Sequence, residues 1–132
     1  MRNILILLVV VGALFLCGCD RSARSEPSKT VPVPEDREIV SAVFIFNSEA
    51  CDCEKNRNEA AEAVIKAVLS DTHEPKPIQR INAASQADKL KEYSAKAKIA
   101  FLPVLLGLDE RGEVVKKLEG FFEENEVLDI LL

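Results

Sequence analysis

The feature that most constrains the fold is an apolar run of eight residues, Ile39 to Phe46, in which Ser41 is the only polar residue. The run is rich in β-branched and aromatic residues and has the length of a strand. A strand whose two faces are both apolar has to be covered on both sides, which is typical of a central strand in an α/β protein. The run therefore predicts a sheet with its first strand in the middle.

The rest of the chain alternates between helical and strand patterns. Ser85 is a suitable N-cap for the second helix. We expect the following elements after the first strand: a helix over 54–69, a weaker strand over 78–83, a helix over 86–97, strands over 104–108 and 113–118, and a last helix from 123. The order β-α-β-α-β-β-α predicts an α/β fold with a four-stranded mixed sheet and three helices, closed by an antiparallel hairpin.

Composition limits both size and function. The chain has 132 residues, which is enough for one domain, and its formal net charge of −5 with no basic patch argues against nucleic-acid binding. A single His leaves few options for a metal site. We expect a monomer whose core includes five of the six phenylalanines: Phe44, Phe46, Phe101, Phe121 and Phe122.

Residues 1–18 have the pattern of a secretory signal. Arg2 precedes an apolar run from Ile4 to Leu16 that only Gly12 interrupts. This run is shorter than the roughly 20 apolar residues that a membrane-spanning helix needs. An uncleaved N-terminal membrane anchor is the alternative interpretation.

The end of this run, Leu16-Cys17-Gly18-Cys19, resembles the lipobox of bacterial lipoproteins. The resemblance implies that Cys19 becomes the lipidated first residue and that Cys17 is removed with the signal. The alternative register, with Cys17 lipidated, places bulky Leu16 where a small residue is expected. Asp20 resembles the signal that retains lipoproteins in the inner membrane of a source with two membranes. We therefore expect a cell-membrane lipoprotein with its domain on the extracytoplasmic, periplasmic face.

Residues 19–38 would then be the lipidated cysteine and a flexible linker. The segment is polar, contains three prolines and shows no apolar periodicity. Because the chain is acidic, attraction to anionic headgroups contributes little, and the lipid has to provide the anchoring to the membrane. The folded domain is expected over 39–132.

Cys51 and Cys53 lie between the first strand and the first helix. The thiolate is the nucleophilic form of cysteine, and a helix N-terminus lowers the pKa of a thiol because its unpaired N–H groups favour negative charge. The two cysteines are therefore candidates for redox chemistry.

The segment from Tyr93 to Gly120 resembles the C-terminal half of thioredoxin. An apolar residue precedes Pro103, a short apolar strand follows, and a turn with Gly112 leads into a Val-rich strand that ends at Gly120. Together with the order of elements, residues 39–132 resemble the minimal fold of the thioredoxin superfamily.

This resemblance implies a thiol–disulfide oxidoreductase that acts on protein thiols and disulfides without a cofactor. It implies that Cys51 attacks a substrate disulfide and that Cys53 resolves the mixed disulfide. It also implies that Pro103 is a cis-proline beside the cysteines and that the backbone of Leu102 binds the substrate chain. A trans Pro103 at the entrance to a strand is the alternative.

The chain departs from the family pattern in its cysteine motif, which is Cys-Asp-Cys rather than Cys-x-x-Cys. Residues two apart in a regular helix point to nearly opposite sides, so we expect a disulfide here to need local unwinding and to be strained. Strain favours the reduced form, which predicts a more oxidising couple than that of thioredoxin. Ala50 replaces the usual aromatic residue. The negative charges of Glu49, Asp52 and Glu54 disfavour the thiolate form of the cysteines. Lys55 is the nearby cation in sequence.

Three other interpretations remain open for the pair. The cysteines can be two small structural residues or an inert disulfide. They can bind Cu(I) or Zn as a delivery protein, since two thiolates suit these ions, with His73 as the only His available as a further ligand. The domain can also be a redox-silent module that binds a partner.

Overall fold

The computed structural model describes residues 37–132. Its elements are β1 (Ser41–Phe46), α1 (Asp52–Asp71), β2 (Ile78–Asn82), α2 (Ala87–Ala97), β3 (Val104–Leu108), β4 (Val114–Glu119) and α3 (Glu124–Leu131). The predicted α/β fold is confirmed, with its order of elements, its three helices and its four-stranded mixed sheet.

The sheet has the strand order β2-β1-β3-β4, so β1 lies in the interior as predicted. β1 pairs in parallel with β2 and antiparallel with β3, and β3 pairs antiparallel with β4. The parallel pair is connected through α1, while the antiparallel pair needs only the short turn at Asp109–Gly112.

Alternating residues of β1 contribute to two separate apolar clusters. Ala42 and Phe44 pack with α1 and α3, whereas Val43 and Ile45 pack with Tyr93 of α2. This follows from the strand geometry, in which successive side chains point to opposite faces of the sheet. The helices α1 and α3 therefore cover one face, and α2 covers part of the other.

The chain enters the domain by packing Ile39 over β3. A Cβ atom added at Gly107 would lie 2.8 Å from Ile39 Cδ1, so the absence of a side chain at Gly107 makes room for Ile39. The Val40 N–H donates to Leu108 O at 2.8 Å and extends this contact into the sheet. Gly107 also lies at a register irregularity between β3 and β4.

Most element boundaries agree with the sequence patterns within two residues. The helix α1 begins at Asp52 rather than Glu54, and β4 is shifted by one residue. The expectation that Ser85 caps α2 was wrong, because the N-cap is Gln86, whose side chain accepts the N–H of Asn82 instead. In α3, Glu123 is the N-cap in a reciprocal capping box with Glu126.

Two of the five phenylalanines predicted for the core are on the surface. Phe101 is 63% exposed and Phe121 is 74% exposed. Phe122, which follows Phe121, is buried as predicted, and its ring meets that of Phe44 edge to face with centroids 6.3 Å apart. The chain turns at Gly120, where φ is +79°, so only one of the two adjacent rings enters the core.

The predicted signal, the lipidation site Cys19 and the linker lie outside the described residues. Within residues 37–132, no helix has both the length and the apolar character that crossing a membrane requires.

The packing predicts a large effect for Ile65, a fully buried residue of α1. We expect Ile65→Ala to lower the free energy of unfolding by about 3 kcal/mol, because it leaves a cavity between α1 and the sheet. The matched control is Glu59→Ala on the exposed face of the same helix, which should change this free energy by less than about 0.5 kcal/mol. Urea unfolding measures both, and equal effects would contradict the assigned core.

Candidate functional site

The candidate site lies at the edge of the sheet where the parallel strands β1 and β2 end. Phe46 at the end of β1 is paired with Asn82 at the end of β2. On the other side, Ile45 pairs with Val104, and Val104 pairs with Glu119. The edge therefore also carries the start of β3 and the end of β4. In open α/β sheets, sites commonly form outside the carboxyl ends of the parallel strands.

The side chain of Asn58 in α1 holds the loop that leads from β1 to the cysteines. The Asn58 side chain donates to Asn47 O at 2.9 Å. Asn58 is buried, and its Oδ1 atom has no hydrogen-bond partner among the described residues. A polar group is kept in this buried position because it satisfies a loop carbonyl that the sheet leaves unpaired.

A second clamp on this loop comes from Asn82 at the end of β2. Its Oδ1 accepts the N–H of Ser48 at 3.2 Å, and its Nδ2 donates to Ser48 Oγ at 2.8 Å. The same Oδ1 accepts the N–H of Ala84. Asn82 thus ties the loop before α1 to the loop before α2.

Cys51 occupies the N-cap of α1, with an extended backbone at φ −64° and ψ 162°. Its carbonyl accepts the N–H groups of Glu54 at 3.0 Å and Lys55 at 2.9 Å, which starts the helix. Cys53 lies in the first turn. The prediction that both cysteines meet at a strand–helix junction therefore corresponds to the observed geometry.

The two sulfur atoms are close together. Cys51 Sγ and Cys53 Sγ are 3.4 Å apart, both residues are exposed, and both are free thiols. The expected opposite orientation of residues two apart in a helix does not apply, because Cys51 lies outside the helical part of the chain. The extended conformation of Cys51 allows the two sulfur atoms to lie this close together.

The environment separates the pKa values of the two thiols. The pKa of Cys51 is lowered, first by the backbone amide of Glu54 and then by the thiol of Cys53. The Cys51 side chain makes no capping hydrogen bond to the described residues, so the Glu54 amide acts on it as a nearby dipole. The pKa of Cys53 is raised, first by its interaction with the Cys51 sulfur. Both shifts favour loss of a proton from Cys51 before Cys53.

Two charged residues of α1 act on the pair. Glu54 raises the pKa of both thiols through its negative charge, whereas Arg57 lowers the pKa of Cys53. Sequence inspection identified Lys55 as the nearby cation and missed Arg57. The spacing of four residues between Cys53 and Arg57 was the available signal, since residues four apart share a helix face.

Pro103 and Leu102 lie at the same edge of the sheet. The peptide bond between them is cis, as the family resemblance implies. Pro103 is buried and Leu102 is half-buried. The Gly120 N–H donates to Pro103 O at 2.8 Å, which joins the start of β3 to the end of β4.

His73 is not part of this site. It follows the C-terminal end of α1, whereas the cysteines lie at the N-terminal end of that helix. Within residues 37–132 no group of three or more His, Cys, Asp or Glu side chains is arranged to hold a metal ion. Any metal bound at the dithiol would therefore have two protein sulfur ligands from this part of the chain.

The separated pKa values predict selective alkylation. Below the pKa of an ordinary thiol, iodoacetamide should modify Cys51 before Cys53, because only the thiolate reacts. Cys53→Ala should raise the pKa of Cys51 by removing an S–H donor, and Cys51→Ala should lower that of Cys53 by removing its main upward influence. Peptide mass analysis across pH measures both. Equal rates at the two cysteines would contradict this assignment.

The Asn82 clamp predicts a local effect on the loop. Asn82→Ala removes the acceptor of the Ser48 amide, so this amide should exchange hydrogen faster, and the free energy of unfolding should fall by about 1–2 kcal/mol. Ser70→Ala, at the far end of α1, is the control and should leave exchange at Ser48 unchanged. Unchanged exchange in Asn82→Ala would show that the loop does not depend on the clamp.

Comparison with known proteins adds no assignment to this geometry. No protein-family model matches the chain, and no curated protein matches it. Function is therefore inferred from the dithiol, the elements that hold it and the charges around it.

Proposed function

We propose that this protein is a thiol–disulfide oxidoreductase on a thioredoxin-like fold, with Cys51 and Cys53 as its redox pair. One observation carries the proposal: two free, exposed sulfur atoms lie 3.4 Å apart at the start of a helix. An exposed thiol pair in such a position can exchange with disulfides, whereas structural cysteines are usually buried.

The first step is an attack by the Cys51 thiolate on one sulfur of a substrate disulfide. A bond forms between Cys51 Sγ and that sulfur, and the bond between the two substrate sulfurs breaks. The other substrate sulfur leaves as a thiolate and takes a proton from solvent. Cys51 is suited to this role because its pKa is lowered and its side chain is exposed.

The second step is an attack by Cys53 on Cys51 Sγ. The Cys53 proton goes to solvent, the Cys51–Cys53 disulfide forms, and the bond between Cys51 Sγ and the substrate sulfur breaks, so that this sulfur leaves as a thiolate. The substrate disulfide gains two electrons, and the protein dithiol loses two. The reverse sequence oxidises a substrate dithiol, so one pair supports either direction of electron flow.

The charges favour this order of events. The two largest causes that raise the pKa of Cys53 both come from Cys51. Once Cys51 is joined to the substrate, its S–H group and its negative charge are gone, and these causes disappear. The influence of Arg57 remains, so Cys53 loses its proton more easily in the mixed disulfide than in the free protein.

The thioredoxin-like assignment is supported by the order of the seven elements, the cysteines after β1 and the proline before β3. The membrane tether is proposed from the lipobox-like sequence alone. Under this proposal, lipidated Cys19 holds the domain at the extracytoplasmic face of the cell membrane, where disulfide chemistry takes place.

Binding of a soft metal ion is the second candidate function. The same two exposed sulfurs provide a pair of thiolates, and thiolates select Cu(I) and Zn. Titrating the reduced protein with Cu(I) tests this candidate. Sub-micromolar binding that Cys53→Ala abolishes would support it.

The redox proposal predicts a two-electron transition in glutathione buffers. The full chain with Cys17→Ser and Cys19→Ser, purified in a non-ionic detergent, leaves Cys51 and Cys53 as the only thiols. After equilibration, free thiols are trapped and counted by mass at each ratio of reduced to oxidised glutathione. We expect the two thiols to disappear together, at a potential more oxidising than about −270 mV, the value for thioredoxin, because a disulfide across one intervening residue closes a small ring whose strain favours the reduced form.

The matched control is Cys53→Ala, which retains the nucleophile without its resolving partner. It should accumulate a mixed disulfide with glutathione at Cys51 and show no intramolecular disulfide. If the two thiols never pair in the parent protein at any ratio, the oxidoreductase proposal is wrong. A midpoint as reducing as that of thioredoxin would keep the function and refute only the expected oxidising character.

A further inference from the structure

Two large apolar side chains are exposed around Pro103, where burial would be expected for residues of this kind. Phe101 lies two residues before Pro103 and is 63% exposed. Phe121 follows Gly120, whose N–H donates to Pro103 O, and is 74% exposed. Both rings therefore belong to the backbone segments that meet at the dithiol edge of the sheet.

Hydrogen bonds and packing hold the backbone next to these rings. The N–H of Ala100 donates to Glu119 Oε1 at 2.9 Å, which holds the chain before Phe101. Phe121 lies between Gly120, which is hydrogen-bonded, and Phe122, which is buried against Phe44. Aromatic side chains on a fixed backbone lose little conformational entropy when a partner covers them.

Carboxylates surround the same edge. The helices α1 and α3 pack on one face of the sheet, and both begin at the edge where β1 and β4 end. The loop before α1, the first turn of α1, and the N-cap and first residue of α3 contribute five acidic side chains, against the two cations Lys55 and Arg57 near the start of α1. We name the following set the acidic aromatic rim: Phe101, Phe121, Glu49, Asp52, Glu54, Glu123 and Glu124.

We propose that the acidic aromatic rim selects the partner of the dithiol, and that this partner is an extended polypeptide segment whose cysteine is flanked by basic and apolar residues. The inference rests on the proposed function and names its substrate class. Exposed phenyl rings favour apolar side chains, and the carboxylates attract cationic ones.

The same charges disfavour other occupants of the rim. An anionic membrane surface and a second copy of this acidic chain would both bring negative charge against the carboxylates. A small anionic disulfide is repelled for the same reason. A basic segment gains in approach rate, because opposite charges steer the encounter.

The reaction on such a segment is the exchange of a thiolate for a disulfide. The probe is a peptide whose central cysteine is joined by a disulfide to 5-thio-2-nitrobenzoate. Cys51 attacks the peptide sulfur, the bond to the aromatic sulfur breaks, and the coloured thiolate is released. Its absorbance reports the rate of the first step.

The experiment compares two such peptides of equal length and apolar content, one with lysines and one with glutamates beside the cysteine. The protein is the full chain with Cys17→Ser and Cys19→Ser. We expect the lysine peptide to react about tenfold faster at low salt, since steering changes association rates by roughly 10- to 1,000-fold. This difference should shrink in about 0.5 M NaCl, where screening is strong.

Variants with matched controls assign the selectivity to the rim. Phe121→Ala should slow the reaction with the lysine peptide about fivefold. The same variant should leave the rate with the neutral 2-hydroxyethyl disulfide unchanged. Leu132→Ala is its control, because Leu132 is 62% exposed and follows Leu131, whose carbonyl accepts the Lys76 N–H at the opposite end of the sheet. Glu124→Lys should reduce the preference for lysine, while Glu74→Lys, in the loop after α1, should not.

The outcomes separate this inference from the proposed function. Equal rates for the two peptides would overturn the inference and leave the oxidoreductase intact. If the protein reacts with none of the disulfides, including 2-hydroxyethyl disulfide, the proposed function is wrong. A dimer in solution, or binding to phosphatidylcholine vesicles, that is lost in Phe121→Ala and kept in Leu132→Ala would assign the rim to another occupant and overturn the inference.

Discussion

The structure depends on the burial of β1 from both sides. A strand whose residues alternate between two apolar clusters can only be stable if helices cover each face, so α1 and α3 pack on one side and α2 on the other. Burial of the apolar side chains of this strand provides the hydrophobic free energy to which the other elements add. The strand order follows, because β2 and β3 have to satisfy both edges of β1.

The chemistry of the candidate site arises where this burial ends. After Phe46 the backbone leaves the sheet, and its polar groups need new partners. Asn58 and Asn82 provide them, and their side chains hold the loop that leads to Cys51. The extended conformation of Cys51 and the nearby backbone amide of Glu54 then act on the same thiol. The position of the two thiols is thus a consequence of how the chain leaves the sheet after β1.

The sequence was sufficient for the order of elements and for the junction at which the cysteines meet, since both depend on strong apolar patterns. It was insufficient for the exposure of Phe101 and Phe121, because an apolar side chain alone does not show which way the backbone turns, as it does at Gly120 before Phe121. Arg57 was missed for a related reason. Its effect on Cys53 depends on the start of α1, which the pattern placed two residues late. The short distance between the two sulfur atoms could not be predicted either, because it depends on the backbone angles of Cys51.

The entry of the chain at Ile39 has a mechanical consequence. Ile39 packs against Gly107, and the Val40 N–H donates a hydrogen bond to Leu108 O. Both contacts lie at the end of the sheet opposite to Cys51. The length of β1, about 20 Å at 3.3 Å per residue, separates that attachment point from the thiols. A force applied through Ile39 therefore acts on the domain at the end of the sheet opposite to the two thiols.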